Sequence, residues 1–344
     1  MINVGIIGCG SITKLRHAPE YKSNRDVDIK GFYDTRQDRA EEMSGMFGGR
    51  VYNSIDDMLA DKNIDAVSVC TANVFHAPVS IRALEAGKHV LCEKPMATSV
   101  EDCTKMIEAA ERNGKILMIG HNQRFITAHI KAKEILQSGE MGKILSFRTV
   151  FGHGGPEMWS ADKSSGTWFF RKDAASMGAI GDLGIHKADL ISWLIDDEIT
   201  EVSAMTVTLD KKDDTEKLIE IDDNAICILK SQRGIVGTLS ASWTYYGDED
   251  NSTVVYCTGG AVKICSDRDY SLIVEKGCSE KIFYKLGNIY TNDCQTDSKV
   301  IDAFVKCIIR GERPPVSGND GLKALKVVLA CIKSSSKGST IKIL

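Results

Sequence analysis

The sequence lacks the features that mark membrane proteins and nucleic-acid-binding proteins. No apolar run approaches the roughly 18 residues that span a bilayer, and residues 1–8 have neither a basic region nor a cleavage site, so we expect no signal peptide. Lys plus Arg number 43 against 47 Asp plus Glu, a net charge of −4. Such a balance does not supply the concentrated positive field that binds a phosphate backbone. We therefore expect neither a membrane nor a nucleic acid as partner.

The 11 cysteines form no metal-binding or redox pattern. No Cys-x-x-Cys pair and no His-Glu-x-x-His segment occurs, which excludes zinc-ribbon and thioredoxin-like sites and leaves no metal site predicted. Cys70, Cys227 and Cys331 stand inside apolar runs, where cysteine behaves as a small hydrophobic residue. The simplest setting is a reducing compartment, so we expect a cytoplasmic protein.

The first third of the chain alternates short apolar runs with helical stretches. This alternation is typical of an α/β domain built on a doubly wound parallel sheet. A capping box at Thr98 and Glu101 predicts the start of one helix, and Asn113-Gly114 predicts its end. The predicted strands are residues 2–7, 29–33, 66–70, 89–92 and 116–119, and the other predicted helices are residues 36–47 and 79–86.

After about residue 140 the pattern changes to longer strands with partial alternation. It predicts an α+β domain with a large, mostly antiparallel sheet that is open on one face. We place the domains at residues 1–121 and 122–344, with the last helix packing back toward the first domain and a ligand cleft between them. The predicted strands are residues 143–151, 201–209, 225–232, 236–245 and 253–265, and the predicted helices are residues 182–195, 299–310 and 320–334.

Two closely spaced glycines follow the first predicted strand. Gly8 and Gly10 permit a tight turn and the close approach of a pyrophosphate, while Ser11 and Ile12 open a helix whose N-terminal N–H groups favour an anion. Thr13 stands at the third position, where a smaller residue is usual, and can still pack a helix on a strand. The pattern predicts a dinucleotide site; the alternative is an ordinary strand–turn–helix connection.

The end of the second predicted strand carries an acid. Asp34 can accept hydrogen bonds from an adenosine ribose, and its charge would repel a 2′-phosphate, which favours NAD over NADP. Arg36 lies two residues further on and could pair with a 2′-phosphate or stack on adenine. NADP is therefore not excluded.

Two short polar motifs could carry chemistry. In Glu93-Lys94-Pro95, after the fourth strand, the lysine can place a cationic donor near a reacting oxygen; the alternative is a solvated surface turn. Asp182 and His186 are spaced i and i+4, so on an α-helix they share one face, and the carboxylate could orient the imidazole for proton transfer. The alternatives are a helix N-terminal aspartate beside a packed histidine, or metal ligation, for which no third ligand stands at zinc-type spacing.

The order of these motifs resembles that of the Gfo/Idh/MocA family, named for glucose–fructose oxidoreductase, inositol dehydrogenase and rhizopine catabolism. The resemblance covers nearly the whole chain and includes residues 315–322. Its motifs are the glycine turn, Asp34, Thr71-Ala72-Asn73-Val74-Phe75-His76, Glu93-Lys94-Pro95, His121-Asn122-Gln123-Arg124-Phe125 and Gly181-Asp182-Leu183-Gly184-Ile185-His186.

The resemblance implies residue roles. Lys94 would be the catalytic lysine, with a Lys94–Pro95 bond that is often cis, and Asp182 and His186 the acid–base pair. Arg124 would lie near the nicotinamide end and contact the substrate. The residues implied to bind the cofactor, beyond the glycine turn and Asp34, are Thr71, Asn73, His76, Glu93, Lys94 and Asn122.

A segment rich in aromatic residues, residues 152–177, could close over a polar ligand. Trp168 could stack on the apolar face of a sugar, as could Trp159, and His153 and Arg171 could bind hydroxyl or carboxylate groups. The alternative is that both tryptophans anchor the core.

The expected function is hydride transfer between a nicotinamide cofactor and a secondary alcohol or ketone of a sugar, inositol or related polyol. His186 would take the hydroxyl proton, Lys94 would stabilise the developing alkoxide, and Asp182 would orient His186. Two alternatives remain open: an NAD-dependent, redox-neutral glycoside hydrolase, and a non-catalytic dinucleotide-sensing regulator. The resemblance also implies a homodimer or homotetramer formed through the open sheet face, with Cys227, Ile228 and Leu239 at the interface.

Overall fold

The first domain is built on a six-stranded parallel sheet with the order β3-β2-β1-β4-β5-β6. The computed structural model describes residues 1–287 and 297–343. Strand order reverses at β1, so the crevice between the ends of β1 and β4 is where ligands bind in folds of this type. The strands are β1 (Ile2–Ile7), β2 (Val27–Tyr33), β3 (Arg50–Val51), β4 (Ala66–Val69), β5 (His89–Cys92) and β6 (Leu117–Ile119).

Helices cover both faces of this sheet. The predicted capping pair is wrong by one residue, because Ser99 is the N-cap and accepts a hydrogen bond from the Asp102 amide, while Gly114 ends the helix as predicted. The fourth helix begins six residues before the predicted residue 79 and contains Pro78. The helical segments are a π-helical turn (Thr13–His17), α1 (Ala18–Ser23), α2 (Gln37–Phe47), α3 (Ile55–Ala60), α4 (Asn73–Glu85) and α5 (Val100–Asn113).

The second domain contains a nine-stranded sheet with the order β14-β13-β12-β11-β7-β10-β9-β8-β15. All neighbours are antiparallel except β7 and β10. The predicted strand 253–265 is a hairpin, since the chain turns at Thr258-Gly259. The strands are β7 (Ile144–Gly152), β8 (Ile199–Val207), β9 (Asn224–Ser231), β10 (Val236–Ser242), β11 (Thr253–Cys257), β12 (Gly260–Ile264), β13 (Leu272–Lys276), β14 (Glu280–Tyr284) and β15 (Ile341–Lys342).

Helices pack on one face of the large sheet and link it to the first domain. The last long helix packs on β8 and α8 but also contacts α5 and β6. Phe304 and neighbouring side chains of α9 lie in the same core as Ile6 and Phe32 of the first domain. The helical segments are α6 (Thr127–Gln137), α7 (Lys172–Ala175), a π-helical turn (Ile180–Gly184), α8 (Ile185–Ile195), α9 (Val300–Arg310) and α10 (Gly318–Lys337).

The other face of the large sheet is open in this single chain. Along β9 burial alternates with a period of two, as in a strand with one covered face. Ile226 and Ile228 are exposed, at 66% and 58%, whereas Cys227 and Leu239 are fully buried. The expectation that Cys227 and Leu239 lie at an interface is therefore wrong, because they point toward the helices. Among the described residues, no helix has the length and apolar character needed to cross a bilayer.

Candidate active site

A cavity lies between the domains, at the carboxyl ends of β1, β4 and β5. The second domain contributes the π-helical turn Ile180–Gly184, the start of α8 and part of the loop after β7. Most of the residues predicted for the site converge there. Those that line the cavity are Gly10, Ser11, Ile12, Thr71, Asn73, His76, Glu93, Lys94, Asn122, His153, Trp168, Asp182 and His186.

The glycine turn has the shape that a close ligand approach requires. Gly8 has a φ of +95°, and a Cβ there would overlap the carbonyl oxygen of Cys70. A Cβ on Gly10 would meet nothing within 4 Å, so the space above it is open. The hydroxyl of Thr13, fully buried, donates to the Gly8 carbonyl oxygen at 2.6 Å. Threonine at the third position therefore ties the turn together instead of weakening it.

Asp34 is held beside this turn at the end of β2. Its Oδ2 accepts a hydrogen bond from the Cys9 amide at 2.7 Å, and its Oδ1 accepts one from the Arg36 amide at 2.8 Å. The exposed side chain of Arg36 pairs with Asp38, with Nη2 to Oδ2 at 2.6 Å, and does not line the cavity. Arg39, which the sequence analysis did not single out, lines the cavity instead.

Lys94 and Asp182 form an ion pair across the domain boundary. The Lys94 ammonium donates to Asp182 Oδ1 at 2.6 Å and to the Asp182 carbonyl oxygen at 3.1 Å. The Lys94–Pro95 bond is cis. The second carboxylate oxygen of Asp182 accepts a hydrogen bond from Trp243 Nε1 at 3.1 Å. Both oxygens of Asp182 are thus engaged, by the lysine and by a fully buried tryptophan.

The expectation that the Asp182 carboxylate orients the His186 imidazole is not met in the described structure, where no hydrogen bond joins the two side chains. The physical reason is local: residues 180–184 form a π-helical turn, so the i, i+4 geometry of an α-helix does not apply between these residues. His186 Nδ1 is buried without a hydrogen-bond partner among the described residues. The imidazole packs instead against the rings of Phe151 and His121, with centroids 5.7 and 6.3 Å away.

The environment of His186 favours the neutral imidazole. Burial lowers its pKa well below the ordinary value of 6.5, and the charge of Lys94 lowers it further. The neutral form is the one that can accept a proton from an alcohol. His186 is therefore available as a base across the neutral range, although no carboxylate of residues 1–287 or 297–343 is hydrogen-bonded to it.

Glu93 is buried and ionised beneath the cavity. Its Oε1 lies 2.9 Å from His17 Nε2, and its Oε2 accepts a hydrogen bond from the Lys94 amide at 3.1 Å. Burial raises the pKa of Glu93, but the hydrogen bond and charge of His17, with the charges of Arg16 and Lys94, outweigh it and hold the pKa at about 2. His17 was not singled out in the sequence, since a lone histidine on a helix has no motif around it.

His76 and Asn73 hold the wall of the cavity together. His76 Nδ1 lies 2.7 Å from the Pro95 carbonyl oxygen, and its Nε2 lies 3.0 Å from that of Thr71. Asn73 Nδ2 donates to the Ala175 carbonyl oxygen at 2.9 Å, which links α4 to α7 of the second domain. These contacts fix the edge of β4 against the Lys94 turn.

Two arginines predicted to bind substrate are engaged elsewhere. Arg124 donates to both carboxylate oxygens of Asp189, at 2.8 and 2.6 Å, and to Asp320 at 3.2 Å, so it joins α8 to α10. Arg171 is exposed and pairs with Asp173 at 3.2 Å. Neither arginine lines the cavity. We withdraw both from the substrate site, because their guanidinium groups face these carboxylates and not the cavity.

An aromatic wall, formed by Trp159, Trp168 and Phe169, closes one side of the cavity. Trp168 and Phe169 stack with centroids 3.9 Å apart, and Trp159 meets Phe169 edge-on at 5.0 Å. His153 also faces the cavity, and its Nδ1 accepts a hydrogen bond from the Gly155 amide at 3.0 Å. Both tryptophans line the cavity. They are therefore placed to contact a ligand.

Comparisons with known proteins agree with this architecture. Residues 2–121 match the family model of an oxidoreductase family with an NAD-binding Rossmann fold, and residues 129–263 match that of the GFO/IDH/MocA C-terminal domain. The first domain is thus an NAD-binding Rossmann domain. Among curated proteins, the chain is 27% identical over 351 residues to a myo-inositol 2-dehydrogenase from Thermotoga maritima, with 99% of this chain and 98% of that protein covered.

A second relative and one solved structure are similar over almost the full length. A levoglucosan dehydrogenase from Pseudarthrobacter phenanthrenivorans is 26% identical over 390 residues, covering 99% of this chain and 98% of the relative. The crystal structure of an aldose-aldose oxidoreductase from Caulobacter crescentus, complexed with glycerol, superposes with a TM-score of 0.83 at 25% identity, covering 99% of both chains.

Proposed function

Because the chain belongs to the Gfo/Idh/MocA oxidoreductase family, we propose that it transfers hydride between NAD and a secondary alcohol or ketone of a sugar, inositol or related polyol. The observation that carries the proposal is the convergence of Lys94, Asp182 and His186 in the cavity that the glycine turn borders. The relatives described above act on sugars and inositol by their names. They give no support to the glycoside hydrolase or sensor interpretation.

The first-domain wall of the cavity fits a dinucleotide. The open space above Gly10, the close approach at Gly8 and the fixed carboxylate of Asp34 suit a pyrophosphate and a ribose without a 2′-phosphate. Ser11, Ile12, Thr71 and Asn122 line the same wall. The ionised Glu93 offers acceptor oxygens for ribose hydroxyl groups. The bound nicotinamide ring supplies the hydride chemistry.

The proton chemistry belongs to His186 and Lys94. The neutral imidazole of His186 accepts the hydroxyl proton during alcohol oxidation and returns it during reduction. The ammonium of Lys94 stabilises the developing alkoxide by charge. Asp182 positions Lys94 through the 2.6 Å ion pair and does not orient His186. This assignment changes the role that the family resemblance implied for Asp182.

The aromatic wall suits a carbohydrate. Sugar and inositol rings present apolar C–H faces, and Trp168 and Trp159 both line the cavity. His153 lines the same cavity and can hydrogen-bond a hydroxyl through its Nε2, since its Nδ1 accepts from the Gly155 amide. We assign the substrate contacts to these three residues.

The test is nicotinamide absorbance during incubation with NAD⁺ and, separately, NADP⁺ against inositols, aldoses, sugar acids and diols. We expect reduction of NAD⁺ with one of these substrate classes and slower reduction of NADP⁺, since Asp34 repels a 2′-phosphate. Binding of NADH without turnover on any member of the panel would contradict the proposal. Release of the leaving group from aryl glycosides without net NADH would favour the hydrolase instead.

We also propose that the protein is a cytoplasmic homo-oligomer that assembles through the open sheet face. Exposed apolar side chains from four strands share the large sheet, and a single chain leaves them in water. The ten described cysteines are free, as in a reducing compartment. The exposed side chains are Leu145, Met205, Ile226, Ile228 and Val236.

For the domains we propose the division at residue 121, with α9 counted in the first domain.

A further inference from the structure

Arg16 is a buried cation in the cavity that lacks a partner within the described residues. It lies on the π-helical turn Thr13–His17 and lines the cavity, yet it is only 8% exposed. Across residues 1–287 and 297–343 its guanidinium makes no hydrogen bond or ion pair, and its Nε is sealed from solvent. Such a group is costly to bury unless something compensates its charge.

The two acids whose charges act most strongly on Arg16 already have other hydrogen-bond partners. Burial lowers the pKa of Arg16, while the charges of Glu93 and Glu20 oppose that effect. Glu93 is bound by His17 and the Lys94 amide, as described above. Glu20 accepts hydrogen bonds from the amide and the hydroxyl of Ser298, at 2.7 and 2.9 Å. These carboxylates offset part of the charge but leave the guanidinium donors without acceptors.

The other cations that line the cavity in the described part of the chain have carboxylate partners. Lys94 pairs with Asp182 at 2.6 Å, and Arg39 pairs with Asp162 at 2.5 Å. The five N–H donors of a guanidinium match the paired oxygens of a phosphate or carboxylate. Arg16 is therefore the cavity cation, among the residues described, whose donors are open to a ligand.

We propose that Arg16 binds an anionic oxygen group of a ligand in this cavity. The proposal deepens the function proposed above and rests on it. Two ligands could supply this chemistry: the pyrophosphate of the dinucleotide, or a phosphate or carboxylate group on the substrate.

The test compares three variants with the wild type: Arg16→Gln, which removes the charge; Arg16→Lys, which keeps it without the planar fork; and Lys14→Gln as a matched control. Lys14 is an exposed cation on the same turn and pairs with Glu42. Fluorescence titration measures the Kd for NADH. Calorimetric titration of inorganic phosphate and of gluconate into the NADH-saturated protein probes the substrate side of the cavity.

Two results would support the proposal, and each identifies one source. If the pyrophosphate is the ligand, Arg16→Gln raises the Kd for NADH by roughly tenfold to a hundredfold, with a smaller rise for Arg16→Lys. If the substrate carries the anion, the Kd for NADH stays within twofold, while phosphate or gluconate binds the NADH-saturated wild type and not Arg16→Gln. Lys14→Gln behaves like the wild type in both cases.

Unchanged NADH binding together with no Arg16-dependent binding of phosphate or gluconate would overturn the proposal. The melting temperature without ligands is a second readout, because replacing an arginine that has only a structural role would destabilise the ligand-free protein. We expect Arg16→Gln to melt at or above the wild type when ligand-free, and a clear drop would also count against a ligand-binding role. None of these measurements requires turnover, so they stand even if no sugar or polyol is oxidised.

Discussion

At the scale of single residues, the carboxylate of Asp182 determines which side chains of the site are hydrogen-bonded to one another. One oxygen receives the Lys94 ammonium and the other receives the indole N–H of Trp243. Because the Lys94 pair and the Trp243 bond hold opposite oxygens, the carboxylate cannot rotate toward His186 without losing a buried hydrogen bond. An unsatisfied buried group of this kind costs roughly 1–3 kcal/mol. The lysine is thus positioned by Asp182, which Trp243 holds in place, and the histidine is held by packing.

Replacing Trp243 by phenylalanine should therefore lower turnover without weakening cofactor binding. The ring remains, but Asp182 Oδ2 loses its donor and the carboxylate no longer holds Lys94 in one orientation. We expect kcat to fall roughly tenfold or more, which corresponds to about 1.4 kcal/mol per factor of ten, with the Kd for NADH unchanged. Steady-state kinetics and NADH titration measure both.

The matched control is Trp193→Phe, which changes a half-buried tryptophan near the end of α8 that contacts Lys133. It should retain wild-type turnover. Equal losses of kcat in Trp193→Phe and Trp243→Phe would show that the effect is general loosening of the fold and not the Asp182 hydrogen bond. Asp182→Asn should reproduce the Trp243→Phe defect and exceed it, since it also removes the charge that faces Lys94.

The protonation of His186 should determine the pH at which kcat for alcohol oxidation declines in acid. Burial and the charge of Lys94 lower its pKa below 6.5, so the neutral, proton-accepting form persists as the pH falls through that value. We expect kcat to hold down to pH 6.5 and to decline only in more acidic solution. His186→Ala should lose roughly 10²–10⁴ in kcat while still binding NADH. An acid limb with a midpoint above 6.5, or near-wild-type turnover of His186→Ala, would remove the residue from this role.

The sequence was sufficient to predict that the motifs after the strands meet in the cavity, but not every residue that lines it or how these residues are connected. Lys94, Glu93 and the glycine turn each follow a predicted strand, and the ends of parallel strands meet at one edge, so their convergence could be predicted. The hydrogen bond between Trp243 and Asp182 could not be predicted, because the two residues are 61 positions apart in the sequence. Arg124 looked like a ligand residue because nothing local shows that Asp189 and Asp320 already hold it.

At the scale of elements, the segment before α8 is held by Asp222, which lies just before β9. Asp222 accepts hydrogen bonds from the amides of Gly178 and Ile180, at 3.1 and 2.8 Å, and its carbonyl oxygen accepts one from Ala179. The π-helical turn with Asp182 follows at once. Hydrophobic periodicity could predict the helix here but not its π-helical first turn, nor the clamp beside it, whose partner is 42 to 44 residues away in the sequence. The clamp therefore sets where the catalytic side chains point.

Gly178→Ala should break this clamp. A Cβ on Gly178 would overlap the backbone carbonyl oxygen of Asp222, and backbone cannot move aside as a flexible side chain does. We expect a loss of several kcal/mol in the free energy of unfolding, of the order of other overpacked sites or more, and turnover reduced at least tenfold. Denaturant unfolding and steady-state kinetics measure the two effects.

Gly45→Ala provides the control for a glycine-to-alanine change. Gly45 lies inside α2, and a Cβ there would meet nothing within 4 Å. Alanine favours the helix by roughly 0.5–1 kcal/mol, so this variant should be slightly more stable than the wild type and fully active. A Gly178→Ala protein with wild-type stability and turnover would show that the segment adapts and that the clamp does not position the site.

At the scale of the whole molecule, the large sheet has one face covered by helices and one face exposed in the single chain. One face is covered by α8 and α10, which Arg124 joins through Asp189 and Asp320, and α10 also contacts α5 and β6 of the first domain. The strand β9 could be predicted from its sequence, but which of its side chains face the core could not, because residues 225–229 are all apolar. The resemblance implied Cys227 and Ile228 together at an interface, but neighbouring residues of a strand point to opposite faces, so Ile228 is exposed and Cys227 lies in the core.

The exposed set on that sheet predicts the assembly state. In a dimer, Ile226 and Ile228, 66% and 58% exposed here, would be buried against a second copy, and stable interfaces bury at least about 1,000 Å² in total. Changing both to lysine places two charges in that contact, and burying an unpaired charge is unfavourable. We expect light scattering after gel filtration to give a multiple of the 37.7 kDa chain mass for the wild type and the single-chain mass for the double variant. Ile309→Lys, on the exposed side of α9, should leave the assembly unchanged. If the double variant keeps the wild-type mass, assembly through this face is refuted, whatever the oligomeric state.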